Sequence, residues 1–289
     1  MQTLLLRVLV SGLCLGPAIS SLAQDPRTPI SSLPYRITAP GSYYLTANLT
    51  ATGNGAGIKI SADNVTLDLN GFALIGGGSG SATGINVPSA QKNILIRNGT
   101  VRGWTNGGIN ASNATNSVIQ GIRLSNNSAS STYFNIAGLS VGNGSTVKDC
   151  FVANNSNSSG ISVGSACSVS NCVARANSGG AGFRVMDNCF VVGNISDSNG
   201  TGITMGSGNR IDSNSFTFNA SAGIFIPSGA TNNLVIRNSA RANNPNYNIA
   251  AGNHYGTIVN LYANTGFAYG DSAATTIVSG DPWANFAGH

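Results

Sequence analysis

The sequence predicts an all-β protein: a single-stranded, right-handed parallel β-helix, a solenoid of roughly nine coils. Three observations point there. The composition favours strands and tight turns, one short phrase returns at the spacing of a coil, and further apolar phrases keep step with it.

Of 289 residues, 41% are hydrophobic and only 8% are charged, against a usual charged share of about 25%. All nine acidic residues are Asp, and 38 positions are Gly. Helix-favouring Glu, Lys and Gln are scarce, whereas β-branched residues and turn formers abound. The regular return of Ile, Val and Leu excludes a disordered chain. Basic residues stand singly, not in the clustered stripe typical of nucleic-acid binding. No nucleic-acid partner is therefore expected.

The N-terminal segment, positions 1–23, reads as an export signal. Arg7 supplies the positive start, positions 8–15 a short apolar stretch, and Ser21-Leu22-Ala23 the small residues before a cut. That stretch is too short to span a bilayer, and no later apolar run is long enough for a membrane anchor. The expected organisation is a signal peptide at 1–23, a parallel β-helix with an N-terminal cap at 24–250, and a capping tail at 251–289. The expected location is extracytoplasmic: secreted, periplasmic or on the cell surface.

The repeated phrase is Gly, apolar, outward, apolar. It reads Gly57-Ile58-Lys59-Ile60, Gly84-Ile85-Asn86-Val87, Gly108-Ile109-Asn110-Ala111 and Gly138-Leu139-Ser140-Val141. It continues as Gly160-Ile161-Ser162-Val163, Gly182-Phe183-Arg184-Val185, Gly202-Ile203-Thr204-Met205 and Gly223-Ile224-Phe225-Ile226, with a degenerate copy at Asn248-Ile249. The step between copies varies up to Gly138 and is nearly constant from there on. Alternation of period two turns Ile58 and Ile60 inward and Lys59 outward. Stacking then places Ile58, Ile85, Ile109, Leu139, Ile161, Phe183, Ile203 and Ile224 in one buried column.

A second phrase follows at Val65-Thr66-Leu67, Ile94-Leu95-Ile96, Val118-Ile119, Val147-Lys148, Val169-Ser170, Ile211-Asp212 and Leu234-Val235-Ile236. A third follows at Phe72-Ala73-Leu74, Thr100-Val101, Phe151-Val152, Val173-Ala174 and Phe216-Thr217. Each coil thus carries two or three very short strands. By this register Leu95, Ile119 and Val235 point outward although apolar, which predicts a terminal segment lying over them. Asn177, Asn199, Asn219 and Asn243 recur at turns, where stacked amides can hydrogen-bond from coil to coil.

The runs Asp63-Asn64-Val65-Thr66-Leu67-Asp68-Leu69-Asn70-Gly71 and Lys92-Asn93-Ile94-Leu95-Ile96-Arg97-Asn98-Gly99 resemble bacterial right-handed parallel β-helix repeat proteins of the pectate-lyase-like superfamily. The resemblance covers about residues 35–250 and implies the fold. It does not imply one chemistry, because that superfamily includes lyases, hydrolases, epimerases and adhesins. Its lyases gather acidic calcium ligands and its hydrolases close sets of Asp. Here no Asp-Asp or Asp-x-Asp run occurs, and Asp68 with Arg97 reads as a stacked ion pair. His254 and His289 lie in the tail, and no zinc-like spacing is present, so no metal and no cofactor are expected. The Gly76-Gly77-Gly78-Ser79-Gly80 run lacks the Lys of a phosphate loop and reads as a linker between coils.

The tail carries Tyr255, Tyr262, Phe267, Tyr269, Trp283 and Phe286. It reads as a cover for the open solenoid end, with an aromatic sugar platform as the alternative. The step from Cys150 to Cys172, and from Cys167 to Cys189, equals the coil step from Gly138 to Gly160. Each pair should therefore stack on adjacent coils. An exported chain permits a disulfide in each pair, and a reduced buried ladder remains open. Arg184, Asp187, Asp197, Arg210 and Asp212 concentrate charge in little more than one coil. With Thr204 and Phe225 beside Arg184, the expected ligand site comprises Arg184, Asp187, Arg210, Asp212, Thr204 and Phe225. The Arg would hold a uronate carboxylate and the Phe would stack on a sugar ring. The functional expectation is a secreted or surface β-helix protein that binds an extracellular polysaccharide or serves structurally. The alternative is a polysaccharide lyase or glycoside hydrolase of unrecognised type.

Overall fold

The structure, a computed structural model, describes residues 26–78, 80, 82–128, 137–260 and 281–288. The expected signal peptide, and with it Arg7 and Cys14, lies outside the described residues. Among the described residues every regular element is a strand, and strands on successive coils pair in parallel. The chain is a right-handed parallel β-helix.

Each coil lays down up to three strands, which stack into three columns. Column one holds ten strands, from Tyr35–Ile37 to Tyr247–Ile249. The Gly phrase marks eight of them, and its degenerate copy, Tyr247–Ile249 after Asn246, is a ninth. The tenth, Tyr35–Ile37, follows Pro34 instead of Gly and pairs in register with Ile58–Ile60. Columns two and three belong to one 20-stranded sheet. They merge because Leu95–Arg102 and Val118–Ser125 each run through the corner as one long strand.

The expected core column is present. Ile58 pairs with Ile85, Ile85 with Ile109, and so on through Leu139, Ile161, Phe183, Ile203 and Ile224. All eight are fully buried, and each such side chain contributes roughly 1.5–3 kcal/mol. The leading Gly has a steric cause. A Cβ at Gly108 would lie 2.7 Å from Leu124 Cδ2 and 2.8 Å from Gly138 O. At Gly138 it would lie 2.7 Å from Val152 Cγ1. Column one runs against column three there, and only a missing side chain leaves room.

Column two corrects one expectation. Ile96 pairs with Ile119, Ile119 with Val147, and Ile211 with Val235. Ile119 and Val235 are therefore fully buried core residues, and no covering segment is needed to hide them. Only Leu95 of the three faces outward, half-buried. The sequence register slipped by one because Val65 and Ile94 are also buried. They occupy the corner position that precedes the strand, which later coils fill with Ser117, Ser145, Cys167, Cys189, Asn209 and Asn233.

Those corner positions hold the coils in register. Before column two, before column three and after column three, a residue in the left-handed region turns the chain. The next side chain stacks on its counterpart one coil away. The expected ladder Asn177, Asn199, Asn219, Asn243 is one of three. Asn194, Asn214, Asn238 and Asn285 form a second, and Asn209, Asn233 and Asn253 end the third. Asn177 shows the pattern. Its N–H and Nδ2 both donate to Asn199 Oδ1 at 2.9 Å, its Nδ2 also donates to Val152 O at 3.0 Å, and its Oδ1 accepts from Asn155 Nδ2 at 2.8 Å. Sequence reading found one ladder because the other two mix Asn with Ser and Cys. In them Cys172 lies one coil from Cys150, and Cys189 one coil from Cys167, as their spacing predicts.

The described part of the tail continues the solenoid. His254–Tyr255 pairs with column two, and Asn285–Gly288 lies in column three between Ser239–Arg241 and Ile258–Asn260. Tyr262, Phe267 and Tyr269 lie outside the described residues. Trp283 is exposed and lies under the Arg237 guanidinium at 5.2 Å.

Two neighbouring substitutions should act in opposite directions. Asn177→Ala strands the Asn155 amide and the Val152 carbonyl, and should lower unfolding free energy by about 2–4 kcal/mol. Ala176 holds φ 51°, so Ala176→Gly relieves a left-handed Cβ and should raise it by up to about 1 kcal/mol. Urea unfolding of both variants beside the parent checks this. Equal destabilisation by both would contradict the corner geometry.

Candidate ligand-binding site

Column one presents one outward position per coil. Successive coils place Lys59, Asn86, Asn110, Ser140, Ser162, Arg184, Thr204 and Phe225 there, all half-buried except Ser140, which is buried. Strand alternation fixes this row, since the residues on either side of each member are buried. Between Lys59 and Phe225 the row is hydroxyl or amide except at Arg184. Among the described residues, no carboxylate stands in it.

Where the row meets the turn that leaves column one lies a cleft of about 370 Å³. Its floor is Ser140, Ser162 and Arg184, and its wall is Ser112, Asn113, Asn143, Ser165 and Met186. Burial pulls the Arg184 guanidinium below its ordinary value, yet it stays cationic at any physiological pH. A half-buried guanidinium in a groove of small polar side chains can hold an anionic group with two parallel hydrogen bonds. Met186, 46% exposed, offers an apolar edge beside it.

The structure gathers part of the expected site. Arg184, Thr204 and Phe225 share the column-one row on three successive coils. Asp187 borders it at the following turn, where its Oδ1 accepts the Ser207 N–H at 2.7 Å and its own N–H donates to Ser165 Oγ at 3.4 Å. Arg210 and Asp212 are not brought to it. They stand on column two, in the other sheet, because the chain turns a corner between them and the row. Arg210 lies over the exposed Phe190 ring at 5.7 Å. Asp197 stands on column three, paired to Arg175 at 3.0 Å and to Thr217 Oγ1 at 2.9 Å.

Asp212 is a structural carboxylate. It is buried, and it accepts from Arg210 Nη2 at 2.8 Å, Arg237 Nε at 2.7 Å and Ser213 Oγ at 2.9 Å. Burial raises its pKa, but the hydrogen bonds from Arg237, Arg210 and Ser213 outweigh that and hold it at about 2. The Asp68–Arg97 pair also forms, at 3.0 Å. The other described Asp residues are tied in similar ways: Asp63 to the Lys92 N–H, Asp149 to Asn171, and Asp281 to the N–H groups of Thr257 and Trp283. Among the described residues, no group of three His, Cys or Asp could hold a metal ion. The wall residues Ser112, Asn113, Asn143 and Ser165 escaped sequence reading. They sit in turns, where no periodicity points inward or outward. Ser140 and Ser162 were legible as outward members of the Gly phrase.

No family model and no curated protein sequence matches the chain. Solved structures do. A mannuronan C-5 epimerase A-module from Azotobacter vinelandii, AlgE6, superposes over 71% of this chain at 19% identity with a TM-score of 0.54. The Dettilon tailspike protein gp208 matches over 81% at 18% identity and 0.48, and the pectate lyase Pel9A over 77% at 16% identity and 0.41. The chain spans 62%, 50% and 70% of those proteins respectively. At these identities the likeness is one of fold.

Asp212→Asn should destabilise the protein in a pH-dependent way. A folded pKa near 2 against an ordinary 3.8 makes the ionised carboxylate worth roughly 2 kcal/mol above pH 4. That contribution disappears as the pH falls toward 2. Thermal unfolding from pH 7 to pH 2 should show the gap between parent and Asp212→Asn closing below pH 4. A gap that stays constant would mean the carboxylate charge is not what stabilises this corner.

Proposed function

We propose that the protein is an exported β-helix that binds an acidic extracellular polysaccharide along the outward row of column one. The observation that carries this reading is the cleft floored by Ser140, Ser162 and Arg184, continued by Thr204 and Phe225 on the next two coils. A polymer lying along the solenoid axis meets a new rung about every 4.8 Å, close to the length of a sugar residue. Arg184 takes a uronate carboxylate, Ser and Asn side chains take hydroxyls, and Phe225 stacks on a ring face. The epimerase module that shares this fold is named for mannuronan, which agrees with such a use of it. Export rests on the signal-like segment at positions 1–23. Among the described residues, no helix is long and apolar enough to cross a membrane.

Binding without cleavage fits a row that lacks a carboxylate pair, which glycoside hydrolysis requires about 5–10 Å apart. The test is titration of the purified protein with uronate-containing and neutral oligosaccharides, with product detection in the same samples. Arg184→Ala should weaken binding of acidic oligosaccharides about tenfold or more, and Phe225→Ala should weaken acidic and neutral ones alike. Unchanged affinity in both folded variants would remove this row as the site. Release of shortened or unsaturated products would replace the binding reading with the enzymatic one.

A further inference from the structure

We propose that Cys150 with Cys172, and Cys167 with Cys189, close into two disulfides that staple three successive coils at two different corners. Cys150 and Cys172 directly precede the paired residues Phe151 and Val173, so they occupy the same corner one coil apart. Cys167 and Cys189 precede Ser168 and Phe190 in the same relation. In the structure all four are buried free thiols whose sulfurs lie against backbone carbonyls, Cys150 on Lys148 O at 3.3 Å, Cys172 on Ser170 O at 3.2 Å, Cys167 on Gly142 O at 3.3 Å and Cys189 on Gly164 O at 3.2 Å. The middle coil contributes Cys167 to one pair and Cys172 to the other, so the two bonds join three coils in a chain.

Hydrogen bonding alone does not call for sulfur here. Ser117 and Ser145 fill the column-two corner on the two coils before the cysteines, where Ser145 Oγ accepts the Ser117 N–H at 3.1 Å. Asn209 and Asn194 take over after the cysteines, accepting the N–H groups of Cys189 and Cys172 at 2.8 and 2.9 Å. Serine and asparagine therefore suffice for the ladder. Cysteine occurs on two ladders among the described residues, each time on two adjacent rungs. What paired sulfurs add to that position is a covalent bond. Adjacent parallel rungs stand about 4.8 Å apart, inside the range of roughly 4.4–6.8 Å that a disulfide spans.

The closure needs an oxidant, here a small disulfide such as oxidised glutathione. The hydrogen bond from Cys189 pulls the Cys167 thiol down to about 7 and pushes Cys189 up, so Cys167 supplies the thiolate at neutral pH. It attacks one oxidant sulfur and expels a thiolate. Cys189 then gives up its proton, attacks the Cys167 sulfur of the mixed disulfide and expels the second thiolate. Two electrons and two protons leave the protein, and the oxidant becomes two thiols. The Cys150–Cys172 pair closes the same way, with Cys150 the pair member shifted downward. All four residues are at most 3% exposed, so exchange takes place while the coils are forming or opened.

The test uses full-length protein unfolded in reductant and refolded in a glutathione redox buffer. Free thiols are then alkylated in denaturant, and intact mass and peptide maps are recorded. The expected result is a mass lower by two hydrogens per bond and cross-linked peptides joining Cys150 to Cys172 and Cys167 to Cys189. Reductant should lower the unfolding midpoint by roughly 5–10 °C. Cys150→Ser and Cys172→Ser place a side chain that the ladder already accepts, and each should leave the Cys167–Cys189 bond intact while losing about half of that shift. Alkylation of all four of Cys150, Cys167, Cys172 and Cys189 after oxidative refolding, or bonds that join the two corners, would overturn the proposal. Because the readout involves no glycan, its failure is distinct from failure of the binding row.

Discussion

Every part of the molecule leans on the parallel hydrogen bonds between equivalent positions one coil apart. A strand this short cannot hold itself together, and a single coil cannot bury its own apolar side chains. Register between coils must therefore be enforced at each corner, because a slip of one position would turn a whole strand inside out. The ladders supply that enforcement. Asn177 is bonded to the coil before it and the coil after it, and to the carbonyl of Val152 in the strand beneath. An amide that is both donor and acceptor suits this place, since buried polar atoms must be paired and the ladder pairs each with its own copy.

The same constraint explains where the chain spends its charges. The described Asp side chains are held by neighbouring coils or turns, as in Asp68 with Arg97 and Asp197 with Arg175. Asp212 is the extreme case, a buried carboxylate held by two guanidinium groups that themselves stay half exposed. Carboxylates used this way tie one coil or turn to the next. The column-one row is different. There the outward side chains vary from coil to coil, from Lys59 through Ser162 to Phe225. The backbone pairing beneath them is indifferent to their identity, so side chains on this face can vary without loss of the stacking.

Much of this was legible in the chain itself. The Gly phrase and its steps were enough for the architecture, the buried Ile58-to-Ile224 column, the cysteine spacing and the outward line of Arg184, Thr204 and Phe225. These features depend on a local period of two and a repeat length, and both are written along the chain. The tertiary structure alone decided three matters. It placed Arg210 and Asp212 on another sheet from Arg184, because the path along a coil turns a corner that sequence spacing does not show. It turned Ile119 and Val235 inward, because Val65 and Ile94 are apolar at a corner position that most coils fill with polar groups. It also showed why Gly57 and its repeats must be Gly, since the side chains that crowd them, Trp104 against Gly57 from the corner after column three and Leu124 against Gly108 from column three, come from another part of the coil.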